Sequence, residues 1–301
     1  MTITAVLLVI LSATMHAGWN LFSKSHSPTI GFFKLATIGT ILWFAPILFL
    51  TCDLLPKISL FLWGVLLVAG FFQAVYYAGL AGAYSRGALS IAYPLARSIP
   101  ILLLMALTYG MGKGDDFTLT AVLGMLAIVA GAFILPMNSF RDFRLSNFLN
   151  PSCAFTVVAA VGTAGYSFVD DIGMDMLGLV PGPAAGWARA LLYLILEGVF
   201  TLFWLQVLMF FLDRSTEKYR AERSGLLKPA FVAGLAIGAT YGIILLAMTY
   251  VTNVSYVVAL RQLSIPIGTV LGIFLLKEKG STPRFVGLTI LFAGLVLVAI
   301  K

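Results

Sequence analysis

Charge is what this 301-residue chain has least of: Asp, Glu, Lys and Arg together make up 10% of it. A soluble domain carries about 25% charged residues, so this chain has too little polar surface to face water. It also lacks any long polar stretch. The two longest, 137–150 and 213–227, are too short to form a domain. The two cysteines, Cys52 and Cys153, are isolated and show no CxxC spacing, which argues against a disulfide framework or a thiolate metal site. There are two histidines, no HExxH and no Walker A sequence, which leaves no signal for a zinc hydrolase or a P-loop ATPase. An intramembrane enzyme would need a nucleophile with a base, or several metal ligands, on facing helices. No catalysis, metal or cofactor is therefore expected. The net charge of +7 is spread over short connections and does not point to nucleic acid.

What is present is apolar: hydrophobic residues make up 60% of the chain and the mean hydropathy is +1.02. Runs of about 20 apolar residues read as transmembrane helices. Ten are expected, at 3–23, 30–50, 60–84, 88–110, 118–136, 152–174, 184–212, 228–251, 254–276 and 283–300. The first has no basic segment before it and HAGWN follows it, so it does not read as a cleaved signal. Alternate connections carry most of the Lys and Arg, while the opposite side and both termini have Lys57, Lys113 and Lys301. The positive-inside rule then places both termini outside the cytoplasm.

The chain also repeats itself. Ser98-Ile99-Pro100 recurs as Ser264-Ile265-Pro266, Tyr84 matches Tyr250, and Lys113-Gly114 matches Lys279-Gly280. VLGMLAIVAGAFIL at 122–135 aligns with FVGLTILFAGLVLV at 285–298, and AGWN at 17–20 aligns more faintly with AGYS at 164–167. The expected architecture is all-α: ten transmembrane helices forming two five-helix repeats, 1–136 and 151–301, joined by a linker at 137–150 in one integral membrane unit. Because five is odd, the second copy enters the membrane from the opposite side. Inverted repeats of this kind are typical of secondary transporters, whose sites lie between the halves near the midplane.

HAGWN in the first helix, YSRGALSIAYPLARSIP in the fourth and the ending KEKGSTPRFVGLTILFAGLVLV resemble the EamA branch of the drug/metabolite transporter superfamily. GYSFVDDIG at 165–173, taken with the fourth-helix motif, is similar to a subgroup associated with phosphonate utilisation. The resemblance spans the whole chain. It implies metabolite transport across a bacterial cytoplasmic membrane, cytoplasmic termini, and packing of the fifth helix on the tenth away from the cavity. Two features depart from the family pattern: GKGDD at 112–116 replaces an acid after the fourth helix, and the second connection is reduced to Lys57.

Polar side chains inside a bilayer cost about 2.5–3.5 kcal/mol each on insertion scales, and mark functional pathways. In the fourth helix Tyr93, Arg97 and Pro100 share a face. Pro94 and Pro100 each remove an amide donor and are expected to kink that helix, presenting Arg97 to a wet cavity. A structural kink with Arg97 tethered to a carbonyl or an acid is the plainer alternative. Arg261 and Gln262 in the ninth helix are a second pair. Arg261 sits five residues before its proline and Arg97 three before its own, which turns them about 200° apart. At most one of the two is then expected to face the centre. A guanidinium's planar fork suits carboxylate or phosphate groups.

The first helix contributes His16, Trp19 and Asn20, and the sixth Tyr166 and Asp170 with Thr163 and Ser167. His16 is either a packed core residue or a carrier of coupled protons, and Asp170 either a site residue or an interfacial acid. Gln73, Tyr76, Tyr77 and Tyr241 are candidates to close a pocket. Arg189 and Glu197, two turns apart on the seventh helix, read as structural. The function expected is transport of a small polar metabolite, zwitterionic or anionic, such as an amino acid or aminophosphonate. The expected partners are that substrate and the lipid bilayer, with the protein a monomer or homodimer. A lipid-headgroup flippase is the alternative.

Overall fold

The computed structural model describes residues 2–24, 29–86, 89–112, 114–135, 137, 139–142, 150–212, 216–275 and 280–300, without the side chains of 19–24, 84, 86, 89–95, 116, 142, 212, 216–224 and 272–275. Among them there is no strand. Ten helical segments stand where the ten apolar runs are: α1 (Ile3–Lys24), α2 (Ile30–Thr51, with a 3-10 turn at Ala45–Ile47), α3 (Leu60–Arg86), α4 (Leu89–Gly110) and α5 (Leu119–Ile134). They continue with α6 (Pro151–Leu179), α7 (Gly186–Leu212), α8 (Thr216–Met248), α9 in two pieces (Val254–Leu260 and Ser264–Leu275) and α10 (Thr282–Ile300). Seven of these are long and apolar enough to cross a membrane, and the described parts of α1, α4 and α5 are shorter apolar helices. The chain is a multi-pass membrane protein.

Side chains start several of the helices. Thr29, Thr118 and Asn150 accept hydrogen bonds from the amides of Phe32, Ala121 and Cys153, and Asn253 from that of Ser255. Each satisfies one amide that has no partner within its helix. Contacts between distant connections sort the helix ends into two sets. At one end Thr2 Oγ1 donates to the Tyr250 carbonyl (3.3 Å) and Lys57 Nζ to that of Pro181 (3.0 Å). At the other, Ser152 Oγ reaches the Ala83 carbonyl (2.9 Å) and Ser281 Oγ that of Met137 (2.9 Å). The segments therefore run alternately up and down.

Helix α4 is continuous through Pro94 and Pro100, and an interruption that the sequence reading did not place falls in α9, as a 3-10 turn at Arg261–Leu263. Pro266 accounts for its place: the ring removes the amide that would bond the Gln262 carbonyl and crowds that oxygen. The polar stretch 213–227 also does not remain a connection, because α8 is already helical from Thr216.

Neighbouring helices meet in a defined pattern. Helix α3 packs on α6 and α7, α8 on α1 and α2, α4 on α5, α6 and α9, and α9 on α1 and α10. Helices α5 and α10 pack on each other, as do α2 and α7. The α5–α10 contact is backbone to backbone. A Cβ on Gly131 would lie 2.6 Å from the Gly287 carbonyl oxygen, and one on Gly287 2.8 Å from that of Gly131. Gly124 and Gly294 oppose each other in the same way, at 2.7 and 2.6 Å. Only glycine permits such an approach.

Candidate functional site

Helix α6 places Tyr166 and Asp170 one turn apart on one face, and both are buried, Asp170 completely (0% exposed). Tyr193 of α7 donates its hydroxyl to Asp170 Oδ1 (3.1 Å), and Tyr241 of α8 donates to Oδ2. An ionised carboxylate only accepts hydrogen bonds, and here each oxygen meets a phenol. The two phenols draw α6, α7 and α8 together around one acid.

The 3-10 turn in α9 presents Arg261 (7% exposed) to the same group. Its Nη1 lies 3.5 Å from the Tyr166 hydroxyl, and its guanidinium carbon is 5.4 Å from the centroid of the Tyr241 ring. That ring-face contact is attractive to a cation. Arg261 and Asp170 thus approach the Tyr241 phenol from different sides. Tyr166 stands edge-on to both Tyr241 (5.5 Å between centroids) and Tyr76 (5.7 Å), and Tyr77, beside Tyr76, stacks on Phe33 (4.6 Å). The aromatic wall runs from α2 through α3 and α6 to α8.

Arg97 of α4 is also buried (6% exposed) and donates from Nη2 to Ser264 Oγ of α9 (3.2 Å). Ser264 belongs to the second copy of the Ser-Ile-Pro motif, so an arginine beside the first copy bonds the serine of the second. In this conformation the guanidinium is enclosed between α4 and α9. His16 of α1 is buried within electrostatic reach of both Arg97 and Arg261. The 3-10 turn at Arg261–Leu263 departs from the uniform 100° per residue used to compare the faces of the two arginines.

Several buried polar atoms have no hydrogen-bond partner among the described residues: Gln73 Oε1, Glu197 Oε1, Arg261 Nε and Gln262 Oε1, with the hydroxyls of Ser98, Ser167 and Ser255. Buried polar atoms are ordinarily bonded, so each of these is open to a partner that the described residues do not supply. Arg189 is different. It donates to the carbonyls of Leu177 (2.5 Å), Val180 (2.8 Å), Gly182 (3.0 Å) and Ala184 (3.0 Å), tying the end of α6 to the start of α7. That is the structural part its spacing suggested.

The structure brings together His16, Arg97, Tyr166, Asp170, Tyr241 and Arg261, with Gln262 beside Arg261 and with Tyr76 and Tyr77 along the aromatic wall. The side chains of Tyr93, Trp19 and Asn20 lie outside the described residues. Sequence reasoning passed over Tyr193 and Ser264, and treated Glu197 as structural. The one available signal was the Tyr193–Glu197 spacing, one helical turn within an apolar run.

No protein-family model matches the sequence, and neither does any curated protein. Among solved structures 27 chains match. One crystal structure of a protein superposes over 100% of this chain and 98% of its own, with a TM-score of 0.68 and 15% identity. At that identity the likeness is one of fold alone.

Proposed function

We propose that this chain is a secondary transporter of the EamA type, moving a small zwitterionic or anionic metabolite by alternating access between two inverted five-helix repeats. The neighbour pattern supports the repeats. Exchanging each helix with the one five places along converts α3–α6 into α8–α1, α2–α8 into α7–α3, and α4–α6 into α9–α1. The pairs α5–α10, α2–α7 and α4–α9 convert into themselves. A twofold axis in the membrane plane has this effect.

The observation that carries the function is the enclosed cluster of both charge signs where the halves meet. Arg97 from the first half bonds Ser264 of the second, and His16 from the first lies near Arg261 of the second. Guanidiniums match carboxylate and phosphate oxygens, while Asp170 and the phenols around it offer acceptors to an ammonium. Rocking the halves about such a cluster exposes it to each side in turn.

A thermal-shift screen of amino acids, aminophosphonates and other organic anions on the purified chain tests the reading. A ligand at 100 times its dissociation constant stabilises the folded state by about 2.7 kcal/mol. At least one zwitterionic or anionic compound is expected to raise the melting temperature, and Arg97→Ala to abolish the rise. Stabilisation by lipids or apolar drugs alone, or a rise unchanged in the variant, contradicts it.

A further inference from the structure

Lys34 lies apart from the charged cluster. It sits on α2 just over one turn beyond the Thr29 cap, half-buried, and its Nζ donates to Gln206 Oε1 of α7 (2.5 Å). The pair bridges the seam where α2 packs on α7. Phe33 and Leu205, their neighbours in sequence, are buried together in one apolar cluster. Lys34 and Gln206 are therefore shut off from the interior and belong to the outer, lipid-facing side of the bundle.

The surface around the pair is aromatic. Phe203 and Phe210 share the face of α7 that carries Gln206, three residues before it and four after, and are 54% and 75% exposed. Along this face α7 presents ring, amide, ring, with an ammonium set against the amide. At a rise of 1.5 Å per residue, Lys34 is about 6 Å inside the end of α2 and Gln206 about 9 Å inside that of α7. This is the depth of the boundary between headgroups and acyl chains. The same end of the bundle has the connections that carry most of the Lys and Arg.

A cation at that depth needs a counter-charge. Among the described residues the polar partner of Lys34 is a neutral amide, and no carboxylate pairs with it. Asp213, the next acid along α7, lies outside the described residues. An ammonium has three donors and a side-chain amide two. Lys34 thus keeps two N–H groups, and Gln206 its NH₂, for an acceptor arriving from the lipid side. The acceptor that a bilayer supplies there is a phosphodiester. A headgroup with its own ammonium would bring a like charge to Lys34, which favours a headgroup without one.

We propose that the α2–α7 seam binds one anionic phospholipid of the phosphatidylglycerol type, with its phosphate on Lys34 and the Gln206 amide and its acyl chains descending over Phe203. Basic pockets between transmembrane helices hold anionic headgroups in this manner. The site requires only that the chain spans a membrane, and is independent of what the central cluster carries. By holding the start of α2 to the end of α7, the lipid fastens the seam from outside.

Native mass spectrometry of the full chain tests the site, with the protein released from micelles holding equal amounts of phosphatidylglycerol, phosphatidylethanolamine and phosphatidylcholine. The wild type is expected to retain one phosphatidylglycerol with a preference of about fivefold, the factor that about 1 kcal/mol per basic residue gives. Lys34→Gln should lose the preference, and Lys34→Arg should keep it, since a guanidinium also binds phosphate. Lys228→Gln, at an exposed position of α8 towards the same end, should leave it unchanged. Equal retention of the three lipids by the wild type overturns the proposal. So does a preference that survives in Lys34→Gln or falls as far in Lys228→Gln. Failure of Lys34→Gln to fold overturns it too, because the pair would then be a packing contact. Displacement of the phosphatidylglycerol by inorganic phosphate decides against it in favour of a soluble anion.

Discussion

At Arg189 four carbonyl oxygens from the α6–α7 connection converge on one guanidinium. Removing it leaves buried acceptors without donors, at a cost of about 1–3 kcal/mol per group where water cannot replace them. Arg189→Ala is therefore expected to lower the melting temperature in detergent by several degrees. Arg189→Lys should recover part of the loss, since one ammonium cannot reach all four oxygens. A melting temperature unchanged in Arg189→Ala would show that water takes over the carbonyls. The value of each intramembrane polar residue was legible in the sequence, because His16, Arg97, Asp170 and Arg261 stand out in apolar runs. Their partnerships were not. The pairs formed by Tyr193 and Asp170, Tyr166 and Arg261, and Arg97 and Ser264 join residues 23, 95 and 167 positions apart. A tyrosine within an apolar run carries no spacing signal that names its partner.

Among the helices, α5 and α10 make the most stringent demand. Gly131 and Gly287 each stand within 3 Å of where the other's side chain would begin, against backbone that cannot move aside cheaply. Gly131→Val is expected to separate the helices and destabilise the protein by about 1–3 kcal/mol or more, the range for overpacking. Gly64→Ala is its control, since nothing lies within 4 Å of that position, and it should be neutral or slightly stabilising in a helix. Equal melting temperatures for the two variants would remove the α5–α10 contact from the account. The Gly and Ala-Gly pattern shared by the two runs, with the family resemblance, made this pairing legible in the sequence. The place of the break was not, because the sequence offers prolines in both the fourth and ninth helices. A proline-freed carbonyl is tolerated where neighbouring groups re-satisfy it, so the outcome depends on packing that one helix's sequence does not contain.

For the whole molecule, ten apolar runs and short connections were enough to give ten segments in alternating directions. Composition decides membrane insertion, and segment length is set by bilayer thickness. The relation between the halves draws on motifs such as Ser98-Ile99-Pro100 and Ser264-Ile265-Pro266, and on the exchange of neighbours that a twofold axis requires. The central claim is that the charged cluster at the meeting of the halves is a substrate site that opens alternately to each side. Uptake of labelled zwitterionic and anionic metabolites into proteoliposomes, comparing the wild type with folded Arg97→Ala, tests it most directly. The account predicts that the wild type accumulates at least one of these compounds and that Arg97→Ala accumulates none. Equal uptake by the two proteins, or no uptake by the wild type across the set, would contradict it.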